Sequence, residues 1–234
     1  LQLICEDLEL KPEDHLVEIG TGWGGMAIYA AEHYQCRVTT TTISKEQFDY
    51  AVEAVKKRGL QDRITVLFDD YRDLEGQFDK LVSIEMIEAV GHQFYDTYFG
   101  TLSRLLKPDG KAVIQSITMT DQRYEQARDA VDFIKRYIFP GGCLPSLNVI
   151  SNAVANVTDM QLSGLRDITR DYADTLQDWH DTFLTQLDQV RAMGFDDRFI
   201  RMWRYYLSYC EGGFRERIIG TYQITMTKPY YRPN

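Results

Sequence analysis

Short apolar runs alternate with amphipathic stretches over the first 118 residues, and this alternation constrains the fold more than any other feature of the chain. Helical periodicity separates runs whose length and β-branched or apolar character are typical of buried strands. The predicted strands are His15–Gly20, Arg37–Thr42, Ile64–Phe68, Phe78–Ile84 and Lys111–Thr118. Between them, one helix is predicted to be capped by Ser44 and to end at Gly59, and a helix over residues 93–106 is predicted to close with a turn at 107–110. Because strands in regular alternation with helices form βαβ units, the pattern predicts an α/β, doubly wound, parallel sheet.

The alternation ends after residue 118. We predict two helices between residues 121 and 158, on either side of an irregular segment at 139–145. We interpret residues 119–158 as a helical lid insertion over the carboxyl ends of the strands, where open α/β sheets bind ligands. The later elements are a strand, two helices and a last strand, predicted at residues 160–169, 176–193, 197–214 and 221–227. A chain of 234 residues without a low-complexity linker is predicted to be a single domain, 1–234.

Composition excludes several classes of protein. The charged fraction of 26% and the aromatic fraction of 12% exclude a disordered chain, and the net charge of −9 argues against a nucleic-acid partner. The four cysteines are far apart and form no C-x-x-C pair, so neither a metal site nor a disulfide framework is predicted. No apolar run reaches the roughly 20 residues that span a bilayer. A cytoplasmic protein is therefore expected.

A glycine-rich turn follows the first predicted strand directly. The segment EIGTGWGG, Glu18 to Gly25, places Gly20, Gly22 and Gly24 at a spacing of two. A dinucleotide-binding turn has its third glycine three positions after the second. The shorter spacing after an acidic strand residue is typical of an S-adenosylmethionine turn, in which Glu18 accepts from the amino group of the ligand. Another nucleotide-like ligand, or none, is the alternative.

The next two strands end in polar residues that can complete a cofactor site. The second strand ends in TTIS rather than in the usual acidic residue for the ribose hydroxyls, so Thr42 and Gln47 are expected to share that recognition. Asp70 and Tyr71 follow the third strand, where an adenine or ribose contact is expected. A packed surface aromatic is the alternative for Tyr71.

Several segments together resemble the cyclopropane fatty acid synthase family, which includes the mycolic acid cyclopropane synthases. They cover nearly the whole chain in order, and the most specific of them are the IEAVG turn and IFPGGCLPS. The others are VEIGTGWGG, TTISKEQ, DYRDLEGQFDKLVSIEM, YDTYF and YYLSYCEGGFRERIIGTYQI. DQRY, DFIKRYIFPGGCLPS and GFDDRFIR are most similar to the plant-type branch of that family.

The resemblance implies a Rossmann-like class I methyltransferase sheet with a helical lid over an acyl-chain tunnel. In that family the cis double bond of a phospholipid acyl chain attacks the methyl of S-adenosylmethionine. A bicarbonate ion then removes a proton from the carbocation, and the cyclopropane closes. The resemblance therefore implies two bound molecules, S-adenosylmethionine and bicarbonate, and membrane phospholipid as partner. It places the protein peripherally at the inner face of the membrane, and a homodimer is a further expected partner.

The resemblance also implies site residues. The family holds its bicarbonate with a Glu, a His, a Tyr and backbone amides; the Glu matches Glu88, the Tyr matches Tyr172, the His falls at Gln115 and a backbone contact at Ile117. The expected cofactor residues are Glu18, Gly20, Gly22, Trp23, Gly24, Thr42, Ile43, Gln47, Asp70, Tyr71 and Ile84. An amide cannot take up a proton, so Gln115 weakens any proton relay there. The alternatives are a helix-start Glu88, a packed Tyr172 and a buried structural Gln115.

Three other functions stay open at this point. Proton loss elsewhere, or reduction, would give a methyl- or methylene-branched chain; a small-molecule methyltransferase and a non-catalytic binding protein are the others. The family's bicarbonate-holding cysteine segment, which precedes the first strand, is not matched, since Cys5 does not align with that cysteine. The first residue is Leu1 rather than Met. We therefore expect that an upstream segment lies outside this sequence; a more open site in this member of the family is the alternative.

Overall fold

Seven strands form one mixed sheet in the computed structural model of the chain, which describes residues 1–233. They are β1 (His15–Ile19), β2 (Arg37–Thr41), β3 (Ile64–Leu67), β4 (Phe78–Ile84), β5 (Leu106–Met119), β6 (Gln161–Asp167) and β7 (Ile219–Thr227). The order across the sheet is β3-β2-β1-β4-β5-β7-β6. Strands β1 to β5 are mutually parallel, whereas β7 runs antiparallel between β5 and β6.

Ten α-helices accompany the sheet within the described residues. They are α1 (Gln2–Leu8), α2 (Gly25–Tyr34), α3 (Lys45–Lys57), α4 (Tyr95–Leu105), α5 (Asp121–Asp129), α6 (Phe133–Tyr137), α7 (Leu147–Val157), α8 (Thr169–Thr185), α9 (Leu187–Ala192) and α10 (Asp197–Arg215). None of the helices in residues 1–233 combines the length and the apolar character needed to cross a membrane.

Both faces of the sheet are buried, which makes the fold doubly wound. Val17 and Leu81 point into one apolar cluster, together with residues of α4 and α7. Leu16 and Val82, each one position away, point into the other cluster with residues of α1, α2 and α3. Successive strand side chains alternate between faces, so two-sided burial explains why consecutive apolar residues occur in the middle of β1 and of β4.

The order of the strands places β1 beside β4, although β2 and β3 lie between them in sequence. The chain thus winds outward from β1 to β3 and then returns to start β4 on the other side. Such a switch point opens a crevice at the carboxyl ends of the two central strands. The glycine turn after β1 and the segment after β4 meet there.

A separate apolar cluster joins the two long late helices. Leu176 of α8 packs with Leu207 and Phe214 of α10, and Ile117 of β5 and Tyr172 of α8 pack against this group. Since Ile117 lies near the carboxyl end of β5, the helix pair is anchored at the same edge of the sheet as the crevice.

Local capping determines where α3 begins and ends. The Ser44 hydroxyl accepts from the backbone N–H of Gln47 at 3.3 Å, as the predicted capping pattern requires. Gly59 follows the helix with φ +69°, which confirms the predicted stop. The Gln47 side chain does not reach back to Ser44, because it accepts from Thr42 instead.

The first five predicted strands are confirmed, whereas several helix and turn predictions need correction. Residues 107–110, predicted as a turn closing α4, form a bulge inside β5, since Leu106 pairs with Phe78 and Lys111 with Lys80. The region 121–158 holds three helices rather than two. The helix predicted at 176–193 begins at Thr169 and is interrupted at Gln186. α1 was not predicted.

Part of the predicted lid packs with the main body of the fold. α7 contacts α4, and Ile150, Ala153 and Val154 are buried in the cluster on that face of the sheet. Residues 120–146, with α5 and α6, precede this helix. A lid function for residues 119–158 stays a prediction.

Candidate active site

The glycine turn lies at the switch point and approaches β4 closely. Gly20, Gly22 and Gly24 have φ values of +95°, +52° and +83°, in the region that favours glycine. A Cβ on Gly20 would lie 3.2 Å from Cγ of Met86, the second residue after β4. The absence of a side chain at these glycines therefore allows the backbone conformation of the turn. At Gly20 it also allows the close contact with the segment after β4.

Glu18 is a buried carboxylate directly before this turn. Its Oε2 accepts from the Thr40 hydroxyl at 2.7 Å, and Thr40 is in turn 2.7 Å from the Thr21 hydroxyl. Only 2% of Glu18 is exposed, and burial raises its pKa to about 8, against the opposing hydrogen bond from Thr40. A cationic group brought beside Glu18 would favour its ionised form.

Thr42 and Gln47 lie together at the end of β2. The Thr42 hydroxyl donates to Gln47 Oε1 at 3.0 Å and accepts from the backbone N–H of Ser44 at 3.1 Å. Their proximity is consistent with the shared recognition expected of them. Ile43 is 74% exposed beside them.

Trp23 lies on the rim rather than inside the crevice. It is 58% exposed and packs edge-on against Tyr50 of α3, with ring centroids 5.2 Å apart. The exposed faces of Trp23 and Ile43 leave both residues accessible to a ligand at the surface.

Three predicted cofactor-binding residues, Asp70, Tyr71 and Ile84, have different local environments. Asp70 caps a 3₁₀ turn and pairs with Arg72 at 2.6 Å, and this hydrogen bonding lowers the pKa of Asp70. Tyr71 is half-buried and packs edge-on against Tyr98, with centroids 5.8 Å apart. Ile84, the last residue of β4, is half-buried and in register with Gln115. Tyr71 therefore follows β3, as expected of a cofactor contact, and its ring also packs against the protein, as the alternative predicts.

Glu88 is held by the end of β5. The backbone N–H of Ile117 donates to Glu88 Oε1 at 2.6 Å, and the Ser116 hydroxyl donates to the same oxygen at 3.1 Å. Glu88 Oε2 is buried and has no hydrogen-bond partner among residues 1–233. Burial raises the pKa of Glu88 to about 7, and the nearby charge of Glu85 adds to the shift.

Gln115 and Tyr172 converge on Glu85, a residue that the sequence reasoning did not select. The Gln115 amide donates to Glu85 Oε1 at 2.8 Å, and the Tyr172 hydroxyl donates to Glu85 Oε2 at 2.7 Å. Burial and the charge of Glu85 raise the pKa of Tyr172, so this hydroxyl stays a donor. The structure thus brings the expected Glu88, Gln115 and Tyr172 into one cluster, with Glu85 at its centre.

A further amide orients Gln115 within this cluster. Gln223 of β7 donates through Nε2 to Gln115 Oε1 at 3.0 Å, which leaves the Gln115 NH₂ facing Glu85. Glu85 itself has φ +50° and donates its backbone N–H to the Gln115 carbonyl at 2.8 Å. A conformation that disfavours side chains is retained here by surrounding hydrogen bonds, as is common at functional sites.

One signal in the sequence could have found Glu85. It is the first residue after a buried parallel strand, and the carboxyl ends of such strands line the ligand crevice. Gln223 and Ser116 carried no comparable signal, because each lies inside a strand with ordinary alternation.

The cluster does not fit a bound bicarbonate in the expected way. The two side-chain donors expected to hold the anion, Gln115 and Tyr172, are both bonded to Glu85. No Lys, Arg or His in residues 1–233 forms an ion pair with Glu85 or Glu88. A second anion would therefore meet two carboxyl groups without a compensating cation.

Comparison with known proteins places the chain in a family. The family described as mycolic acid cyclopropane synthetase matches residues 1–224. The chain is 39% identical to the tuberculostearic acid methyltransferase UfaA1 of Mycobacterium tuberculosis, over 92% of this chain and 50% of that protein. It is 40% identical to the cyclopropane-fatty-acyl-phospholipid synthase of Escherichia coli K12, over 97% of this chain and 57% of that protein.

A solved structure agrees with the sequence matches. Mycolic acid cyclopropane synthase CmaA1, complexed with SAH and CTAB, superposes with a TM-score of 0.89 and 27% identity, covering 97% of this chain and 82% of that chain. The fold is therefore that of a Rossmann-like class I methyltransferase. The chain spans about half the length of the curated relatives it matches. From the match over residues 1–224 and these identities, the chain belongs to the mycolic acid cyclopropane synthetase family.

Proposed function

We propose that this chain transfers the methyl carbon of S-adenosylmethionine to the cis double bond of an unsaturated phospholipid acyl chain, with a cyclopropane as product. Family membership and the 40% identity to a cyclopropane-fatty-acyl-phospholipid synthase support this activity. The observation that carries it is the carboxylate cluster of Glu85 and Glu88, joined to the glycine turn by the contact of Met86 with Gly20.

The residues around the turn fit S-adenosylmethionine. Gly20 and Gly22 allow close approach of a ligand to the backbone, and Glu18 offers a buried carboxylate for the ammonium of an amino-acid group. Thr42 and Gln47 offer polar atoms to ribose hydroxyls, and neighbouring structures in complex with SAH or SAM share the fold. When bound, S-adenosylmethionine supplies an electrophilic methyl group.

The chain then has to position the alkene and protect a carbocation. An alkene is a weak nucleophile, so most of the catalysis must come from holding it in line with the methyl group. Aromatic faces stabilise cations and exclude water, and Tyr172 packs on Phe214 with centroids 4.9 Å apart beside the cluster. Trp203 and Tyr206 extend this aromatic wall, with centroids 5.1 Å apart. The carboxyl groups of the cluster supply oxygens that can accept a proton.

We also propose that the chain meets its substrate at a membrane surface. Three apolar side chains of the segment between β5 and α7 are exposed: Val131 by 73%, Tyr137 by 52% and Phe139 by 57%. Apolar and aromatic groups of this kind favour contact with the interfacial region of a bilayer. Such contact would bring an acyl chain near the edge of the sheet where the crevice opens.

A methyl- or methylene-branched acyl chain is the second candidate product. The 39% identical relative is named a tuberculostearic acid methyltransferase, and Gln115 stands where the family resemblance expects His. Both products share the transfer of methyl to the double bond. The ring and a methylene branch differ in which proton leaves, whereas a saturated methyl branch also requires a later reduction. The geometry of the base therefore decides between the ring and the methylene branch.

The proposed function is tested with the purified chain, methyl-labelled S-adenosylmethionine and vesicles of cis-monounsaturated phosphatidylethanolamine and phosphatidylglycerol. Label is expected in the acyl chains, and not when the vesicles contain only saturated phospholipid. When the S-adenosylmethionine is unlabelled, the extracted lipid is expected to show the upfield proton resonances of a cyclopropane. An olefinic branched product would favour the second candidate, and label confined to small molecules would contradict both.

A further inference from the structure

We infer that Glu85 is the proton acceptor for ring closure in this chain, in place of a bound bicarbonate. The inference rests on the proposed function. The family resemblance assigns two side-chain donors to the bicarbonate, Gln115 Nε2 and Tyr172 Oη. They lie 2.8 and 2.7 Å from the two oxygens of the Glu85 carboxylate. A protein carboxylate thus makes the contacts expected of the small carbonate base.

The electrostatics of the cluster favour one resident anion over an added one. The charge of Glu85 helps to raise the pKa of Glu88 and of Tyr172. Among residues 1–233, no cationic side chain hydrogen-bonds to Glu85, Glu88, Gln115 or Tyr172. A bicarbonate here would add like charge to a partly buried site, which is unfavourable.

The backbone directs Glu85 to this position. Glu85 follows β4 at the switch point, and its neighbour Met86 contacts the turn at Gly20. Its φ of +50° disfavours a side chain, yet the N–H bond to the Gln115 carbonyl holds it there. Gln223 fixes the amide of Gln115 so that a donor rather than an acceptor faces the carboxylate. Four residues from separate elements therefore cooperate to present one carboxylate beside the cofactor turn.

The chemistry of the step balances without another reactant. The alkene pair forms a carbon–carbon bond to the methyl group as the carbon–sulfur bond breaks, which leaves a cation on the acyl chain. A C–H bond of the transferred methyl then breaks, and its electron pair forms the second new ring bond. The proton passes to an oxygen of Glu85, which later releases it to solvent. Each carboxylate oxygen has a free lone pair for this purpose, because only one hydrogen bond reaches each of them.

Two variants of Glu85 separate this role from a structural one. Glu85→Gln keeps the side-chain volume but cannot accept the proton, so ring formation is expected to fall by about 10²- to 10⁴-fold. Glu85→Gly relieves the positive φ and opens a carboxylate-sized space between Gln115 and Tyr172. Added bicarbonate is expected to restore activity to Glu85→Gly and not to Glu85→Gln. Binding of S-adenosylhomocysteine, measured by calorimetry, checks that both variants fold.

Bicarbonate binding is measured separately from turnover. With [¹³C]bicarbonate, we expect line broadening for Glu85→Gly but none for the wild type or Glu85→Gln. Broadening by the wild type, no broadening by Glu85→Gly, or a wild-type rate in Glu85→Gln would overturn the inference. If the wild type labels no lipid, the proposed function fails, whereas the binding comparison still decides whether Glu85 occupies the anion position.

Discussion

The Tyr172 hydroxyl donates to Glu85 Oε2 at 2.7 Å, although 87 positions separate the two residues. This bond connects α8, in the helix pair anchored at the crevice edge of the sheet, to the end of β4 in the centre of the sheet. It therefore couples the position of the helices that would shelter an acyl chain to the carboxylate that would act on it. Phe214 of α10 supports the Tyr172 ring from the other side.

Tyr172→Phe tests this coupling. The ring and its packing on Phe214 are retained, while the hydrogen bond to a charged acceptor is lost. Such bonds contribute about 1.5–3 kcal/mol, so methyl transfer to lipid is expected to fall about 10- to 100-fold. Affinity for S-adenosylhomocysteine is expected to stay unchanged. Tyr34→Phe, on α2, is the matched control, and an equal loss in both variants would contradict a specific role.

Gly20→Ala tests the close approach of the cofactor turn to β4. The new Cβ would lie 3.2 Å from Met86 Cγ on a backbone with φ +95°, so the free energy of unfolding is expected to fall by about 1–3 kcal/mol. Binding of S-adenosylhomocysteine is expected to weaken with it. At Gly25 a Cβ meets nothing within 4 Å, so Gly25→Ala is expected to be neutral or slightly stabilising. Chemical denaturation and calorimetry compare the two variants, and equal behaviour would refute the prediction.

Glu18 is expected to release a proton when the cofactor binds. Because burial raises its pKa to about 8, Glu18 is largely protonated at pH 7, and an ammonium group beside it favours the carboxylate. The enthalpy of S-adenosylmethionine binding should therefore depend on the ionisation enthalpy of the buffer. Glu18→Gln should remove that dependence and weaken binding about 10- to 100-fold.

The control for Glu18 is Glu32→Gln on the outer surface of α2, where Glu32 pairs with Arg58. In each buffer, this variant is expected to bind S-adenosylmethionine with the same affinity and enthalpy as the wild type. Proton release that persists unchanged in Glu18→Gln would assign the titration to another group.

Glu88 is expected to make stability depend on pH. Its pKa is raised to about 7 in the folded chain against an ordinary value of 4.5, so the unfolded chain loses this proton first as the pH rises. The stability contributed by protonated Glu88 is full below pH 4.5 and is lost between about pH 4.5 and 7, by on the order of 3 kcal/mol. Glu88→Gln should gain stability over the wild type across this window, with a constant difference above it.

Urea denaturation at a series of pH values measures this difference. The exposed Glu53→Gln, on α3, serves as the control and should follow the wild-type curve. A difference between Glu88→Gln and the wild type that stays the same from pH 4.5 to 7 would exclude a raised pKa for Glu88.

Much of the fold could be predicted because it depends on local patterns. Apolar runs and β-branched residues located β1 to β5, and Ser44 and Gly59 located the ends of α3. The position of β7 between β5 and β6 could not be predicted, because antiparallel pairing of distant strands leaves no mark in either strand alone. The interruption at Gln186 was not predicted either, since no Gly or Pro marks that position.

Three members of the carboxylate cluster were selected from the sequence, whereas Glu85 at its centre was not. Motif resemblance selected Glu88, Gln115 and Tyr172, and these residues do lie in one cluster. Resemblance could not reveal that Glu85 accepts from two of them, since that relationship involves elements far apart in sequence. The acidic residue at the end of β4 became informative only when its hydrogen bonds were known.

The central claim, methyl transfer to an acyl double bond with ring closure, is tested most directly with S-adenosylmethionine that carries a fully deuterated methyl group. The wild-type chain is incubated with vesicles of cis-monounsaturated phospholipid, and the acyl chains are analysed by mass spectrometry and NMR. We predict a product without an olefin that has lost one deuterium of the transferred methyl. An acyl chain that retains the whole deuterated methyl group, or no labelled lipid at all, would contradict the account.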